Sequence, residues 1–429
     1  MTTVRCLAIC LLLVSSLPGQ KRHDWPQWRG AARDGVWRET GLVKELPKTL
    51  KRRWAVPIGG GYSGPTIAGG RVYVTDRVED PNRERVHCFD AKTGKTVWTH
   101  AYPCSYADVS YKAGPRASVL VHDGLAYSLG AAGHLVCFDA AKGKVAWSCD
   151  LGVTYDVDMP IWGVAASPII ENDLLIVPTC GREALLVAFD RKTGVERWKA
   201  FTDRGNYSAP IIFDQAGQRV LVCWSGDRIL GVDPATGKLQ WEYPFKSTRM
   251  PLGVADPVRH GDLLFFSGFY DGSLMLRLDS KKLAVEKVWR RRGQNERRTD
   301  ALHTIISTPF IRDGHIYGVC SYGEMRCLKL DDGERVWEDL TAVPKSRWAT
   351  IHFVQNGDDT WMFNERGELL IGRLSPKGFE ERSRAFLIKP TRGQLNRRGG
   401  VCWSHPGYAY GHVFARNDEE LVCVDLRQR

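Results

Sequence analysis

Short runs of alternating apolar and polar residues, separated by turns that contain glycine, recur along the chain. Residues 118–139, SVLVHDGLAYSLGAAGHLVCFD, hold three such runs, and a fourth run that ends near a tryptophan follows the next turn. Alternation with a period of two is typical of β-strands that bury one face. Each unit therefore predicts a four-stranded antiparallel sheet.

One turn is repeated almost word for word: FDAKTGKTVW at 89–98, FDAAKGKVAW at 138–147, FDRKTGVERW at 189–198 and VDPATGKLQW at 232–241. The equivalent positions are Asp90, Asp139, Asp190, Asp233, Asp279, Lys329, Ser375 and Asp425, at steps of 49, 51, 43, 46, 50, 46 and 50 residues. This spacing is close to that of propeller blades. Because one such sheet cannot bury both faces alone, the chain predicts an all-β fold, an eight-bladed β-propeller of four-stranded antiparallel blades.

The repeated residues have structural explanations. An aspartate can accept hydrogen bonds from the backbone of its own turn, and glycine tolerates the positive φ that a hairpin needs. Near-identical aspartates spread around a ring do not converge on one substrate, so we expect them to form turns. The tryptophans are predicted to pack between blades: Trp54, Trp98, Trp147, Trp198, Trp241, Trp289 and Trp337. The seventh copy has Ser383 at this position.

The two ends of the chain are predicted to meet in one blade. Only four residues follow Asp425, so the last blade lacks its fourth strand, whereas Trp54 precedes the first turn. We expect residues 50–57 to complete the last blade, which removes an open sheet edge. Residues 20–429 would then form a single propeller.

Residues 1–19 predict a cleaved signal peptide, because Arg5 precedes a short apolar run and then small residues. No later run is long enough to span a bilayer. We therefore expect a periplasmic or secreted protein. The ten cysteines that follow residue 19 include Cys88, Cys137, Cys327 and Cys423 at one repeat position. Cysteines in separate blades are too far apart to pair, so we expect buried thiols, and no spacing indicates a metal site.

Aromatic residues make up 10% of the chain, and its 43 glycines and 21 prolines suit many strands and turns. The net charge is +11, and arginines are dense in the loops of one predicted face: residues 290–298, Arg249, Arg347, Arg392, Arg397 and Arg398. Such a rim attracts anions, but a solvated basic loop with no dedicated partner is the preferred interpretation. No nucleic-acid-binding motif is present, and we expect no nucleic-acid partner.

The repeat of strand, D-x-x-T-G turn and tryptophan resembles the pyrroloquinoline-quinone (PQQ) repeat of quinoprotein dehydrogenases and of the outer-membrane assembly propeller lipoprotein. The opening DWPQWRGAARDGVW at 24–37 is similar to an exported, planctomycete-type group of PQQ-like propellers. The resemblance covers nearly the whole mature chain. It implies a propeller fold and, for the dehydrogenases, PQQ with calcium and a pair of adjacent cysteines. This sequence has no adjacent cysteines.

Loops that lead into the innermost strands of a propeller surround one mouth of its channel. The residues predicted to face a ligand there are Tyr62, Arg116, Trp162, Tyr207, His303, Arg397, Trp403 and His405, with His352 on the same set of segments. The histidines and tryptophans among them are more often packing or hydrogen-bonded residues than ligand contacts. No catalytic residues, cofactor-binding residues or metal ligands are assigned.

The leading hypothesis is a non-catalytic, monomeric binding or scaffold protein for a protein or an anionic polysaccharide of the envelope. The alternative is a PQQ- and calcium-dependent alcohol or sugar dehydrogenase. A polysaccharide hydrolase or lyase is a weaker hypothesis, because no paired carboxylates are evident.

Overall fold

The computed structural model describes residues 23–428, and the predicted signal peptide lies outside this range. Within it, 32 strands form eight four-stranded antiparallel sheets, which make an eight-bladed β-propeller as predicted. Blades 1 to 4 consist of β2 (Thr66–Ala68), β3 (Arg71–Val78), β4 (Arg83–Asp90) and β5 (Thr96–Pro103); β6 (Leu120–His122), β7 (Leu125–Leu129), β8 (His134–Asp139) and β9 (Val145–Asp150); β10 (Ile169–Glu171), β11 (Leu174–Gly181), β12 (Ala184–Asp190) and β13 (Glu196–Ala200); and β14 (Ile211–Gln215), β15 (Gln218–Trp224), β16 (Arg228–Val232) and β17 (Leu239–Pro244).

Blades 5 to 8 continue the same order. They consist of β18 (Val258–His260), β19 (Leu263–Gly268), β20 (Gly272–Leu278) and β21 (Val285–Arg291); β22 (Phe310–Arg312), β23 (His315–Val319), β24 (Met325–Lys329) and β25 (Arg335–Asp339); β26 (Ile351–Asn356), β27 (Asp359–Asn364), β28 (Glu368–Ser375) and β29 (Gly378–Phe386); and β30 (Gly407–Ala409), β31 (His412–Arg416), β32 (Glu420–Asp425) and β1 (Arg52–Pro57). A single helical turn, α1 (Leu151–Thr154), follows β9.

The repeated turn joins the third and fourth strands of a blade. It also forms the surface on which the tryptophan of the preceding blade packs. In blade 1, Asp90 accepts hydrogen bonds from the backbone and hydroxyl of Thr93. In blade 2, Gly143 lies against Trp98 of blade 1, whose indole N–H donates to the carbonyl oxygen of Ala140 at 3.0 Å. A β-carbon on Gly143 would lie 2.5 Å from the indole ring. The glycine is therefore required by packing as well as by its φ of +69°.

The same contact recurs around the ring. The tryptophan-on-glycine pairs are Trp54 with Gly94, Trp147 with Gly194, Trp198 with Gly237 and Trp289 with Gly333. Trp337 donates to the carbonyl of Ser375. Trp241 instead donates to the side chain of Gln215, which donates to the carbonyls of Asp279 and Ala284 in the next blade.

β1 supplies the outermost strand of blade 8. It pairs antiparallel with β32, and Trp54 lies opposite Cys423, the register at which Trp98 lies opposite Cys88 in blade 1. The first and last strands of the described chain therefore share one sheet, and β32 is not an edge strand.

Blade 7 has no tryptophan in its outer strand, and the segment before β1 occupies that junction. Ser383 lies opposite Ile371 at the tryptophan register and accepts a hydrogen bond from the backbone of Leu46. Leu42 and Leu50 are buried in the cluster that joins blades 7 and 8. The segment with Leu42, Leu46 and Leu50 thus takes the place of the missing tryptophan, and we call residues 42–50 the strap.

The described cysteines are all free thiols, and nine of the ten are buried. This agrees with the expectation of buried thiols at the repeat position. None of the helical structure found in residues 23–428 has the length and apolar character needed to cross a bilayer.

Candidate functional site

Loops leading into the innermost strands enclose a cavity of about 150 Å³ at one end of the central channel. It is lined by Trp28, Tyr62, Tyr111, Arg116, Trp162, Ala165, Ser167, Tyr207, Ala209, Val254, Asp256, Ile305, Ile306, Trp348, His352, Trp403 and His405. A dry cavity of comparable volume in another protein binds benzene. The space is therefore suited to one six-membered ring.

Aromatic side chains from different blades meet around this cavity. Tyr111 contacts Trp162, Trp348 and Trp403, with ring centroids 5.9, 5.7 and 6.4 Å apart, and Trp162 packs on Tyr207 at 5.2 Å. These side chains come from the loops that precede blades 2, 3, 4, 7 and 8. We call the four rings of Tyr111, Trp162, Trp348 and Trp403 the aromatic ring cluster.

Two members of the aromatic ring cluster have a strained backbone. The φ of Tyr111 is +56° and that of Trp348 is +66°. Large side chains rarely adopt this left-handed region, and such strain collects at binding and catalytic sites. The surrounding loops must hold both residues in place, and Arg116 does so for Tyr111 by donating to its carbonyl oxygen at 2.6 Å.

The segment 24–37 crosses the other end of the channel and forms the floor of the cavity. Trp25 pairs with Ile67 of blade 1, and Trp37 donates to the carbonyl of Gln355 in blade 7. Between them, Trp28 reaches the cavity, where its ring contacts His405 with centroids 4.3 Å apart. The opening motif is thus a plug that spans the ring.

A buried carboxylate holds this plug. The indole N–H of Trp28 donates to Asp256, whose other oxygen accepts from the backbone of Ala209 at 3.0 Å. Burial raises the pKa of Asp256, and the nearby charges of Arg29 and Arg33 oppose that shift. Among the described residues that line the cavity, Asp256 is the sole acidic side chain, and its oxygens are already hydrogen-bonded.

Arg116 brings a positive charge to the cavity wall. Its guanidinium donates to the carbonyl oxygens of Ser110, Tyr111 and Gly114 and lies 4.9 Å above the ring of Tyr62. No carboxylate in residues 23–428 lies within ion-pair distance of it. An arginine bound only to neutral groups keeps its attraction for an anion.

The two cavity histidines are neutral at physiological pH. His352 lies 2.8 Å from the carbonyl oxygen of Trp403, and His405 lies 2.8 Å from the hydroxyl of Ser118. Burial lowers the pKa of His352 to about 4, and burial with the charge of His352 lowers the pKa of His405 to about 3. They therefore contribute polar but uncharged surface.

The structure brings six of the eight residues proposed from the sequence to one cavity: Tyr62, Arg116, Trp162, Tyr207, Trp403 and His405. His303 lies outside the lining, because its ring is buried between the backbone of Gly293 and the carbonyl of Phe269. Arg397 is also outside, on the exposed side of Trp348, with its guanidinium 5.6 Å from that ring. His352 lines the cavity as well.

The predicted basic rim is partly neutralised. Arg347 makes two hydrogen bonds to the carboxylate of Glu296, at 2.7 and 2.9 Å, and Arg398 pairs with Glu365 at 3.2 Å. The positive charge of the arginine-rich loops is therefore smaller than the sequence count indicates.

Sequence reasoning missed Tyr111, Trp348, Trp28 and Asp256. Tyr111 and Trp348 lie in the same class of loop as the residues that were selected, so a complete survey of aromatic residues in those loops would have found them. Trp28 lies before the first blade, and no periodicity indicates that its segment returns to the channel.

Comparison with known proteins agrees with this architecture. The family described as outer membrane protein assembly factor BamB matches residues 38–100 and 82–337. A relative in Thauera butanivorans, 1-butanol dehydrogenase (quinone), is 33% identical over 164 residues, which span 35% of this chain and only 26% of that enzyme.

Solved structures with the same fold have low sequence identity. BamB from Moraxella catarrhalis superposes with a TM-score of 0.61 at 14% identity, covering 88% of this chain and 100% of that one. Quinohemoprotein alcohol dehydrogenase from Comamonas testosteroni gives a TM-score of 0.63 at 13% identity, with 95% and 81% covered. Because the family match extends over more than half of the chain, from residue 38 to residue 337, the protein belongs to the PQQ-like β-propeller family that includes BamB.

Proposed function

We propose that this protein is an exported, non-catalytic binding protein whose channel mouth takes a sugar ring of an anionic polysaccharide. The observation that carries the proposal is Arg116, a cation without an acidic partner in the described chain, on the wall of a cavity lined with aromatic rings. Aromatic faces stack on the apolar faces of sugars, and the positive charge of an arginine without an acidic partner attracts a carboxylate or sulfate group.

Other features of the cavity support this proposal. Its volume of about 150 Å³ suits a single ring. The exposed Arg397 lies above Trp348, outside the cavity, where the next charged group of a chain could bind. His352 uses only Nε2 for its hydrogen bond within the described chain, so its Nδ1 can hydrogen-bond to a hydroxyl group of the sugar.

The calcium ion of quinoprotein dehydrogenases does not fit the described side chains of this cavity. Ca²⁺ takes six to eight oxygen ligands, whereas the described lining offers one carboxylate, that of Asp256. This carboxylate already accepts hydrogen bonds from Trp28 and from the backbone of Ala209, and it forms an ion pair with Arg29. We derive no redox step from this site.

The experiment is a calorimetric titration of the purified protein with defined uronate-containing and sulfated oligosaccharides. The proposal expects saturable one-to-one binding of at least one anionic oligosaccharide and no binding of its uncharged counterpart. Trp162→Ala should weaken that binding about two- to tenfold, since one aromatic contact is worth about 0.5–1.5 kcal/mol. Arg116→Met should abolish the preference for the charged ligand.

Arg259→Met is the matched control for Arg116→Met. Arg259 also lies over an aromatic ring, that of Phe213 at 4.4 Å, but it is in β18 and does not line the cavity. Its substitution should leave binding unchanged. Stoichiometric binding of PQQ and Ca²⁺ together with reduction of a dye by an alcohol or sugar would establish the dehydrogenase alternative instead.

A further inference from the structure

Three side chains of metal-binding type converge at the junction of blades 1 and 2, outside the lining of the channel-mouth cavity. Glu84 lies in β4, Cys104 follows β5, and His134 begins β8. One carboxylate oxygen, the thiol sulfur and one ring nitrogen all lie within 4.8 Å of one another. The residues are 20 and 30 positions apart in sequence, so no motif spacing indicates the cluster.

Glu84 is a buried carboxylate that lacks a cationic partner in the described chain. Its exposed fraction is 0%, and it accepts hydrogen bonds from the hydroxyls of Tyr102 and Tyr106 at 2.6 and 2.5 Å and from the backbone of Ala131 at 3.0 Å. The guanidinium of Arg77 stacks on Tyr106 but donates elsewhere. Buried charges are normally paired or bound to a metal.

The three donors match zinc chemistry. Thiolate, imidazole and carboxylate are the usual ligands of Zn²⁺. The sulfur of Cys104 lies 3.9 Å from Nδ1 of His134, and tetrahedral zinc with standard bond lengths places such atoms roughly 3.6 Å apart. The distance needs only a small adjustment of either side chain.

A second, independent observation is the carboxylate behind the histidine. Asp150 lies 3.9 Å from Nε2 of His134, on the side of the ring opposite Cys104. Histidines that bind metal through one nitrogen commonly donate the other N–H to a carboxylate, which orients the ring and raises its basicity. At 3.9 Å Asp150 makes no hydrogen bond to His134, but a shift of about 1 Å on metal binding would bring the two groups within hydrogen-bond distance.

We propose that Glu84, Cys104 and His134 bind one Zn²⁺ ion, with a water molecule in the fourth position. On binding, the Cys104 thiol loses its proton to solvent and a sulfur–zinc bond forms, while Nδ1 of His134 and a carboxylate oxygen of Glu84 donate lone pairs. The ion supplies the positive charge that Glu84 lacks and joins blade 1 to blade 2.

The test is a titration of the metal-free full chain with Co²⁺, a spectroscopic substitute for Zn²⁺. We expect one equivalent to produce a near-ultraviolet sulfur-to-cobalt charge-transfer band together with intense visible bands of a four-coordinate ion, and Zn²⁺ to displace both. Cys104→Ser should remove the charge-transfer band. Asp150→Asn, which keeps a good helix N-cap residue at α1, should weaken binding about 10- to 100-fold.

Cys149→Ser is the control, because Cys149 is the partly exposed thiol next to Asp150. It should leave the spectrum unchanged. His134→Asn, at a more exposed position, provides a second ligand variant and should also abolish tight binding. A wild-type protein that gives no charge-transfer band, or a band that persists in Cys104→Ser, contradicts the site. Loss of the band in Cys149→Ser would also contradict it. Failure of glycan binding would not affect this result.

Discussion

At the residue scale, one contact explains most of the repeat. Trp98 packs on the turn of the next blade, where Gly143 leaves room for the indole ring and the backbone of Ala140 accepts its N–H. The aspartate of the same turn fixes the backbone against which the tryptophan packs. Aspartate, glycine and tryptophan therefore recur together because each is needed for one blade to pack on another.

The double role of the turn glycine can be separated by two substitutions. Gly143→Ala and Gly124→Ala both place a β-carbon at a positive φ, of +69° and +75°. Only at Gly143 would that atom meet a ring, since nothing lies within 4 Å of it at Gly124. We expect Gly124→Ala to cost about 1–2 kcal/mol and Gly143→Ala about 1–3 kcal/mol more.

Unfolding by denaturant measures the difference between the two variants. Equal losses of stability would show that the indole does not restrict the turn and that backbone conformation alone selects glycine there.

The buried histidines predict that stability falls in mild acid. The folded-state pKa values of His352 and His405 are about 4 and about 3, below the unfolded value of about 6.5. The unfolded chain therefore takes up protons first, so the stabilisation is complete above about pH 6.5 and is lost as the pH falls toward 4. Each ring contributes about 1 kcal/mol per pH unit in that window.

Denaturant midpoints measured at pH 7.5 and 4.5 test this expectation. His352→Gln should reduce the loss between the two pH values, whereas His122→Gln, at an exposed position, should not. A loss of stability that is the same in His352→Gln and in the wild type would contradict the role assigned to His352.

At this scale the sequence predicts repeated residues better than unique ones. The turn aspartates and the packing tryptophans could be identified because they recur. Tyr111 and Trp348 could not be recognised in the same way, because their importance depends on a strained backbone and on neighbours from other blades.

At the element scale, the segment before the first blade has three parts with separate roles. Residues 24–37 plug the channel, residues 42–50 fill the junction that lacks a tryptophan, and β1 completes blade 8. Closure by β1 follows from counting strands and tryptophans. The plug and the strap lie outside the repeat, so the sequence does not predict which blades they contact.

Two truncated chains distinguish the plug from the closing strand. A chain that begins at residue 38 keeps the strap and β1, and we expect a monomer of lower stability. A chain that begins at residue 58 also lacks both the strap and β1. Loss of β1 leaves β32 as an exposed edge, and we expect aggregation. Light scattering after size-exclusion chromatography measures both. A monomeric chain from residue 58 with unchanged melting would contradict the role of β1.

At the scale of the whole molecule, the ring of blades brings non-repeated loop residues together in one cavity. Eight similar units place their inner loops around a common axis, and differences among those loops produce the aromatic ring cluster and the unpaired Arg116. Fold class and blade number follow from the period of the chain. The shape and charge of the cavity do not, because they depend on which loop residues meet across the axis.

A crystal structure of the protein with an anionic oligosaccharide that it binds tests the central claim most directly. We predict electron density for one sugar ring in the cavity, against the aromatic ring cluster, with a carboxylate or sulfate group within hydrogen-bond distance of Arg116. Density for the oligosaccharide on the 290–298 loop or on an outer blade surface, with none in the cavity, would contradict the account.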